Sequence, residues 1–217
     1  MASNIEYIIF IFEIIGTVAF AITGVMAAIE KEVDFFGAIV LGATTAVGGG
    51  ALRDIMLGIT PPTFFYKPVY ILTAVIVSAF VFLVMYIYRG GGKHIAFYNN
   101  IINIFDAIGL AVFVITGMNT AIRQGYIKNG FLVIFIGTIT GIGGGVLRDV
   151  LIGKIPAVLR KHIYALAAII GAVLYYVFLI CKINESLSIL ISAASIIIIR
   201  LLAIRYKWNL PKISDRL

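Results

Sequence analysis

The sequence is poor in the residues that build disulfides, metal centres and charged surfaces. Its 217 residues include a single cysteine, Cys181, and two histidines, His94 and His162, that are far apart in the chain. One cysteine excludes an intrachain disulfide, and two such distant histidines argue against a metal site. Charged residues make up only 12% of the chain, well below the share in a soluble domain. We therefore expect neither a resident metal nor a cofactor.

The chain is correspondingly rich in apolar residues. They form 62% of the chain, and its mean hydropathy is +1.10. A hydrocarbon core about 30 Å thick requires roughly 20 helical residues, and no alternating pattern of a membrane barrel is present. The sequence predicts an all-α membrane protein that forms a single transmembrane domain over residues 1–217. Its seven predicted transmembrane helices cover approximately 5–29, 35–59, 69–88, 101–122, 131–153, 162–181 and 186–206.

The first apolar segment is expected to be a retained span. It has no basic region before it and no small-residue cleavage site, and it carries Glu13 in its interior. These features argue against a cleaved signal peptide.

The net charge of +7 is explained by an uneven distribution of lysine and arginine between the two sides of the membrane. By the positive-inside rule the N-terminus is outside and the C-terminus is cytoplasmic. The bias thus predicts topology, with contact to anionic lipids as a second possibility, and gives no reason to expect a nucleic-acid partner. The predicted cytoplasmic side holds Lys31, Arg89, Lys93, Lys154, Arg160, Lys161, Lys207, Lys212 and Arg216, and the other side holds Lys67, Arg123, Lys128 and Lys182.

Two stretches of the chain are duplicated. "EIIGTVAFAITG" (13–24) and "DAIGLAVFVITG" (106–117) match at half of their positions, and the blocks 42–61 and 137–156 match at 10 of 20. A duplicated three-helix unit explains both matches. Because three spans are an odd number, the second copy enters the membrane from the opposite side. We predict two inverted repeats, about 5–88 and 101–181, followed by a seventh helix at about 186–206; such repeats are typical of transport pathways.

Each duplicated block contains three consecutive glycines near the middle of a span. A glycine costs a helix up to about 1 kcal/mol relative to alanine. Small residues also let helices pack closely, but three in a row point around the helix and favour a kink or partial unwinding. Carbonyls freed in this way must face protein or water. The triplets are Gly48, Gly49, Gly50 and Gly143, Gly144, Gly145.

Six ionisable residues lie inside the predicted spans, where such residues are rare and usually functional. Adjacent helical residues project about 100° apart, so Arg53 and Asp54 are not expected to pair with each other. Depth in the membrane predicts instead that Arg53 pairs with Glu13 and that Arg148 pairs with Asp106. Such pairs also serve to hold helices together. The six residues are Glu13, Arg53, Asp54, Asp106, Arg148 and Asp149.

The predicted pairing leaves Asp54 and Asp149 free, but not for enzymatic chemistry. An aspartyl protease needs two aspartates close enough to share a proton, and these two fall on opposite sides of the midplane. The strings G-x-S-x-G and H-E-x-x-H are also absent. We expect no enzyme.

The duplicated G-G-G-x-L-R-D blocks, the inverted arrangement and the seventh helix closely resemble the prokaryotic trimeric intracellular cation (TRIC) channels, also labelled as the glycine transporter or UPF0126 family. The resemblance implies a homotrimer with a pore in each protomer, lined by the first, second, fourth and fifth helices. It also implies kinks at the two glycine triplets and passage of potassium and sodium. The phosphoinositide-binding loop of the animal channels is not recognisable here, and a prokaryotic plasma membrane suits the chain best.

The leading hypothesis from the sequence is therefore a monovalent cation channel. Carbonyls at the triplets, with Asp54 and Asp149 nearby, would replace part of the hydration shell of an ion, and Arg53 and Arg148 would narrow or close the passage. The alternative is a secondary transporter for a small solute such as glycine; a non-conducting scaffold is a third possibility. Six threonines are weaker candidates for the lining, because threonine in a span usually bonds to its own helix: Thr23, Thr44, Thr45, Thr116, Thr138 and Thr140.

Overall fold

A computed structural model describes residues 2–88, 95–160 and 163–208 of the chain. Over these ranges the protein is entirely helical, with nine α-helices and one short 3-10 turn. The helices are α1 (Ala2–Glu30), α2 (Phe35–Met56), α3 (Thr63–Tyr66), α4 (Val69–Ile87), α5 (Ile95–Arg123), α6 (Gly130–Leu151), α7 (Ala157–Arg160), α8 (Tyr164–Ile180) and α9 (Glu185–Arg205).

All seven predicted spans fall on helices. Six helices in the described ranges are long and apolar enough to cross a membrane, namely α1, α2, α4, α5, α6 and α9. The remaining apolar helix, α8, has only 17 residues, so its crossing stays a prediction. The four-residue helices α3 and α7 were not predicted from the sequence. Several residues used for the topology and metal predictions lie outside the described ranges: Arg89, Lys93, His94, Lys161, His162, Lys212 and Arg216.

Local signals in the sequence define where the long helices begin and end. The Asp34 carboxylate accepts a hydrogen bond of 2.7 Å from the Gly37 amide and caps α2, and the Asn129 side chain caps α6 in the same way. The helices α2 and α6 are followed by Gly58 and Gly153, whose φ angles are +71° and +68°. Only glycine adopts this left-handed geometry at little cost, so both helices end in matching turns.

The centre of the molecule is formed by α1, α2, α5 and α6, which pack on one another. Helix α4 packs against α1 and α2, α8 packs against α5 and α6, and α9 covers α5 and α8. Glycines make the central crossings possible: a Cβ at Gly24 of α1 would clash with the backbone of Gly42, and one at Gly117 of α5 would press on Gly137. Large apolar side chains such as Phe36 and Phe131 point outward, as expected for a lipid-facing surface.

Candidate functional site

The two glycine triplets meet where α2 crosses α6. A Cβ at Gly49 would overlap the Thr140 carbonyl oxygen, and a Cβ at Gly144 would overlap the Thr45 carbonyl oxygen. The two contacts are reciprocal, since each pair joins the same positions of the duplicated blocks. The middle glycine of each triplet therefore lets the two backbones touch.

The predicted partial unwinding at the triplets is wrong for the described helices. Both α2 and α6 continue as regular helices through their glycines. The physical reason is the close crossing, which gives the glycines a packing role and buries the helix surface that unwinding would expose. A bend of either helix axis without a break in hydrogen bonding stays a prediction.

The third glycine of each triplet faces a cluster of charged side chains instead of the opposite helix. A Cβ at Gly50 would have only the Arg53 guanidinium nearby, at 3.7 Å. A Cβ at Gly145 would lie 3.2 Å from the Tyr164 hydroxyl and 3.7 Å from both Arg148 and Asp106. Each triplet therefore combines a packing position with a position next to ionisable groups.

The cluster beside Gly145 is a closed network of ion pairs. Arg148 donates from Nη1 to the Asp106 carboxylate and from Nε to the Asp149 carboxylate, both at 3.0 Å. All three side chains are more than nine-tenths buried. The predicted pair of Arg148 and Asp106 is confirmed, and it joins α6 to α5.

The cluster beside Gly50 is arranged differently, and the predicted pair of Arg53 and Glu13 is wrong. Arg53 bonds through Nε to its neighbour Asp54 at 2.8 Å. The partly exposed Glu13 carboxylate instead accepts a hydrogen bond from the Tyr70 hydroxyl of α4. Adjacent residues on a helix can pair here because the long arginine side chain folds back, so that Nε reaches the neighbouring carboxylate.

The expectation that Asp54 and Asp149 are free is also wrong. The second oxygen of Asp54 accepts a hydrogen bond of 2.7 Å from the Thr63 amide, and that of Asp149 accepts one of 2.8 Å from the Ala157 amide. These amides begin the short helices α3 and α7. Each aspartate thus bonds both to the neighbouring arginine and to the backbone that follows the helix. These contacts indicate a structural role and not ion binding.

Tyr70 and Tyr164 are the site residues that sequence reasoning missed. Tyr70 is hydrogen-bonded to Glu13, and Tyr164 lies beside Asp106 and Arg148. The strings "KPVY" (67–70) and "KHIY" (161–164) place the two tyrosines in equivalent positions of the duplicated units. This match in the sequence could have identified the two tyrosines, but it is short and lies outside the glycine motif.

Two adjoining cavities lead to the cluster beside Gly50. The outer cavity opens to solvent and has Lys67 and Arg123 in its wall. The inner cavity is small, about 40 Å³, and Gly50 lines it. Glu13 borders both spaces. We call the two together the vestibule; it leads to Gly50, beside the crossing of α2 and α6.

The threonine hydroxyls mostly serve their own helices. Thr23, Thr45, Thr138 and Thr140 each donate to a carbonyl three or four residues earlier. Thr116 borders the outer cavity, and its buried hydroxyl has no hydrogen-bond partner within the described ranges. It is therefore the threonine best placed to meet a polar solute.

Comparison with known families accounts for the duplication. The glycine transporter family profile matches the chain twice, at residues 10–86 and 103–179. A UPF0126 membrane protein of Vibrio cholerae is 39% identical over 204 residues, which cover 94% of this chain and 82% of that protein. The UPF0126 inner membrane protein YadS of Escherichia coli K12 is 37% identical, with 92% of this chain and 93% of the relative covered.

Solved structures of the same architecture are TRIC cation channels. The TRIC trimeric intracellular cation channel orthologue from Rhodobacter sphaeroides superposes with a TM-score of 0.84 at 30% identity, over 93% of this chain and 99% of that one. A prokaryotic TRIC channel crystallised in 0.5 M KCl gives the same TM-score at 36% identity, over 94% and 100% of the two chains. The chain is thus a multi-pass membrane protein, and it belongs to the TRIC (UPF0126, glycine transporter) family.

Proposed function

We propose that the chain consists of two inverted three-helix repeats followed by a seventh helix. The contacts at the crossing of α2 and α6 support this arrangement because they are reciprocal: Gly49 meets Thr140 as Gly144 meets Thr45. A second reciprocal contact lies between α1 and α5, where the rings of Phe20 and Phe113 pack with centroids 5.1 Å apart. These two residues are also equivalent positions of the duplicated text.

The function that the geometry supports best is a monovalent cation channel that passes potassium or sodium through a pore in each protomer. The observation that carries this proposal is the vestibule, which lies between α1, α2, α4 and α5 and reaches Gly50 beside the central crossing. The solved channels of the same fold add to it.

The charges of the inner cavity favour a cation over an anion. Glu13, Arg53 and Asp54 line the cavity, two carboxylates and one guanidinium, with a formal net charge of −1. Arg53 is held by Asp54 at 2.8 Å, so Glu13 is the carboxylate left to face the solute. In the proposed mechanism Glu13 and the Thr116 hydroxyl replace part of the hydration shell of an entering ion. Of the six charged residues, Glu13 is therefore the one proposed to contact the ion, and the other five stabilise the packing of the helices.

We also propose a homotrimer in the plasma membrane of a prokaryote, with the N-terminus outside and the C-terminus cytoplasmic. The ion pair of Glu6 with Arg123 (3.9 Å) and that of Glu30 with Lys154 (2.7 Å) support the alternation of the helices, because each joins helix ends assigned to one side. Under this orientation the vestibule opens outward. Lipids and small cations are the expected partners, and no cofactor is required.

Purified protein in planar bilayers tests the channel. Discrete unitary currents in potassium chloride, with reversal potentials that follow the cation gradient, are the expected result. Glu13→Gln should keep the trimer and lower the unitary current, whereas Glu32→Gln, which changes a carboxylate outside the vestibule, serves as the matched control. Absence of unitary currents from correctly assembled trimers would contradict the proposal.

The alternative is a secondary transporter for a small solute such as glycine. The observation that favours it is the mixed charge of the outer cavity, whose wall contains Glu6 and Glu13 together with Lys67 and Arg123. Such a set suits an ammonium group and a carboxylate together. Saturable glycine uptake into vesicles, without unitary currents, would establish the transporter. A non-conducting scaffold predicts neither signal.

A further inference from the structure

The helix outside the two repeats places a buried cation next to the second charged cluster. Arg200 of α9 is only 2% exposed, and its guanidinium carbon lies 4.4 Å from the centre of the Tyr164 ring. Within the described ranges it forms no ion pair with a carboxylate, and its Nε has no hydrogen-bond partner. A buried charge of this kind in a membrane helix is costly and usually serves a function.

The two charged clusters differ in what lies over the third glycine of the triplet. Gly50 lines the inner cavity, but over the equivalent Gly145 the Tyr164 hydroxyl lies within 3.2 Å of where a Cβ would stand. Tyr70, the equivalent of Tyr164, instead bonds to Glu13 at the edge of the vestibule. One triplet therefore borders a cavity, whereas the Tyr164 side chain lies over the third glycine of the other.

Arg200 also changes the charge balance of the second cluster. Among the described residues the cluster contains Asp106, Asp149 and Arg148. Arg200, which contacts the Tyr164 ring beside them, brings the formal net charge of this group to zero. The first cluster contains two carboxylates and one arginine within the described ranges. Among the described residues, the second cluster therefore carries no excess negative charge that would attract a cation.

We propose that Arg200 is a positioning residue of α9: its contact with the Tyr164 ring holds that ring over Gly145 and closes the second mouth of the pathway. Guanidinium groups stack on aromatic faces more strongly where water is excluded. Loss of the guanidinium frees the ring and leaves the cluster with a net negative charge. Both changes open the second mouth, so the seventh helix contributes to the asymmetry between the two repeats.

This inference rests on the proposed pore, and cysteine accessibility tests it. The experiment measures solvent access to a chosen position and does not depend on ion current. In a Cys181→Ser background, Val47→Cys reports on the inner cavity that Val47 lines. Ile142→Cys places the reporter at the equivalent position of the second repeat. A small, membrane-impermeant thiol reagent is applied to the protein in vesicles with the reagent on both sides. The cysteine at 47 should react and the cysteine at 142 should be protected.

Arg200→Met should then raise the labelling rate of the cysteine at 142 by about tenfold or more, through a shift toward the open mouth. The rate at 47 should not change. Arg200→Lys keeps the charge without the planar stack and should give an intermediate rate. If Arg200→Met fails to assemble, Tyr164→Leu with Arg200 intact tests the same contact.

The inference would be overturned if the cysteine at 142 reacted at the same rate in the protein with Arg200 and in the Arg200→Met variant. Rapid labelling of this cysteine with Arg200 present would also overturn it. The outcome is separable from that of the channel proposal. If the cysteine at 142 is protected with Arg200 and reacts without it, but no unitary currents are seen, the channel proposal is rejected and the role of Arg200 stands. If unitary currents are seen but labelling at 142 does not depend on Arg200, the channel proposal stands and the role of Arg200 is rejected.

Discussion

Arg148 donates to the Asp106 carboxylate across 3.0 Å, and this buried pair connects the second helix of one repeat to its first. The equivalent residues of the other repeat do not pair, since Arg53 bonds only to Asp54 and Glu13 bonds to Tyr70. The same side-chain chemistry therefore has two arrangements in one chain. The two ends of the proposed pathway therefore differ in their charged groups.

The pair of Arg148 and Asp106 predicts that the two clusters differ in their contribution to stability. Asp106→Asn should lower the free energy of unfolding by about 3 kcal/mol, because it leaves a buried guanidinium with one carboxylate instead of two. Glu13→Gln should cost about 1 kcal/mol, since an amide oxygen still accepts from Tyr70. Unfolding in mixed detergent micelles, followed by circular dichroism, measures both. Equal losses would show that the two clusters are energetically alike.

The central crossing predicts opposite effects for neighbouring glycines. Gly49→Ala and Gly144→Ala should each cost about 1 to 3 kcal/mol, because the added methyl overlaps a backbone carbonyl that cannot move aside easily. Gly50→Ala should be neutral or stabilising by up to about 1 kcal/mol, since alanine favours the helix and only Arg53 is near. Thermal aggregation of detergent-purified variants ranks the three. A loss at Gly50 as large as that at Gly49 would contradict the packing role.

The hydrogen bonds of Asp54 and Asp149 predict a structural role for both. Asp54→Asn and Asp149→Asn should each cost about 1 to 3 kcal/mol, because an amide cannot accept from both the arginine and the following backbone amide. Asp34→Asn is the matched control, since asparagine caps a helix as well as aspartate does. Denaturant midpoints measure the three. Conduction that changes in Asp54→Asn without loss of stability would point to ion binding instead.

The position of Glu13 predicts a conductance that depends on salt. Glu13→Gln should reduce the unitary potassium current several-fold at about 0.01 M salt, where the screening length is about 30 Å. At about 1 M salt this length is about 3 Å, and the variant should approach the parent protein. Single-channel recordings across this range supply the comparison. A reduction that is the same at all salt concentrations would mean that Glu13 acts by shape and not by charge.

Much of the fold could be predicted from the sequence because the signals are local or periodic. Apolar length predicted where the long helices lie, and Asp34 and Gly58 mark ends that depend only on nearby backbone. The duplication added long-range information, because it placed Arg148 and Asp106 at the same depth. That is why this ion pair was predicted correctly.

The errors arose where several partners compete at one depth. Glu13 had both Arg53 and Tyr70 within reach, and spacing along the chain did not show which one the packing of α4 would favour. Asp54 appeared free only because the backbone amide of Thr63, which follows the turn after α2, carries no signature in the sequence.

The sequence by itself thus determined an all-helical membrane protein, its duplicated units and its glycine triplets. Only the tertiary structure decided that the middle glycines are a packing surface, that one charged cluster borders a cavity, and that Tyr164, in contact with Arg200, lies beside the other. The physical reason is that hydrophobicity and helix ends depend on neighbours in the chain. The choice among ion-pair partners, and the volume left between helices, depend on side chains brought together from distant helices.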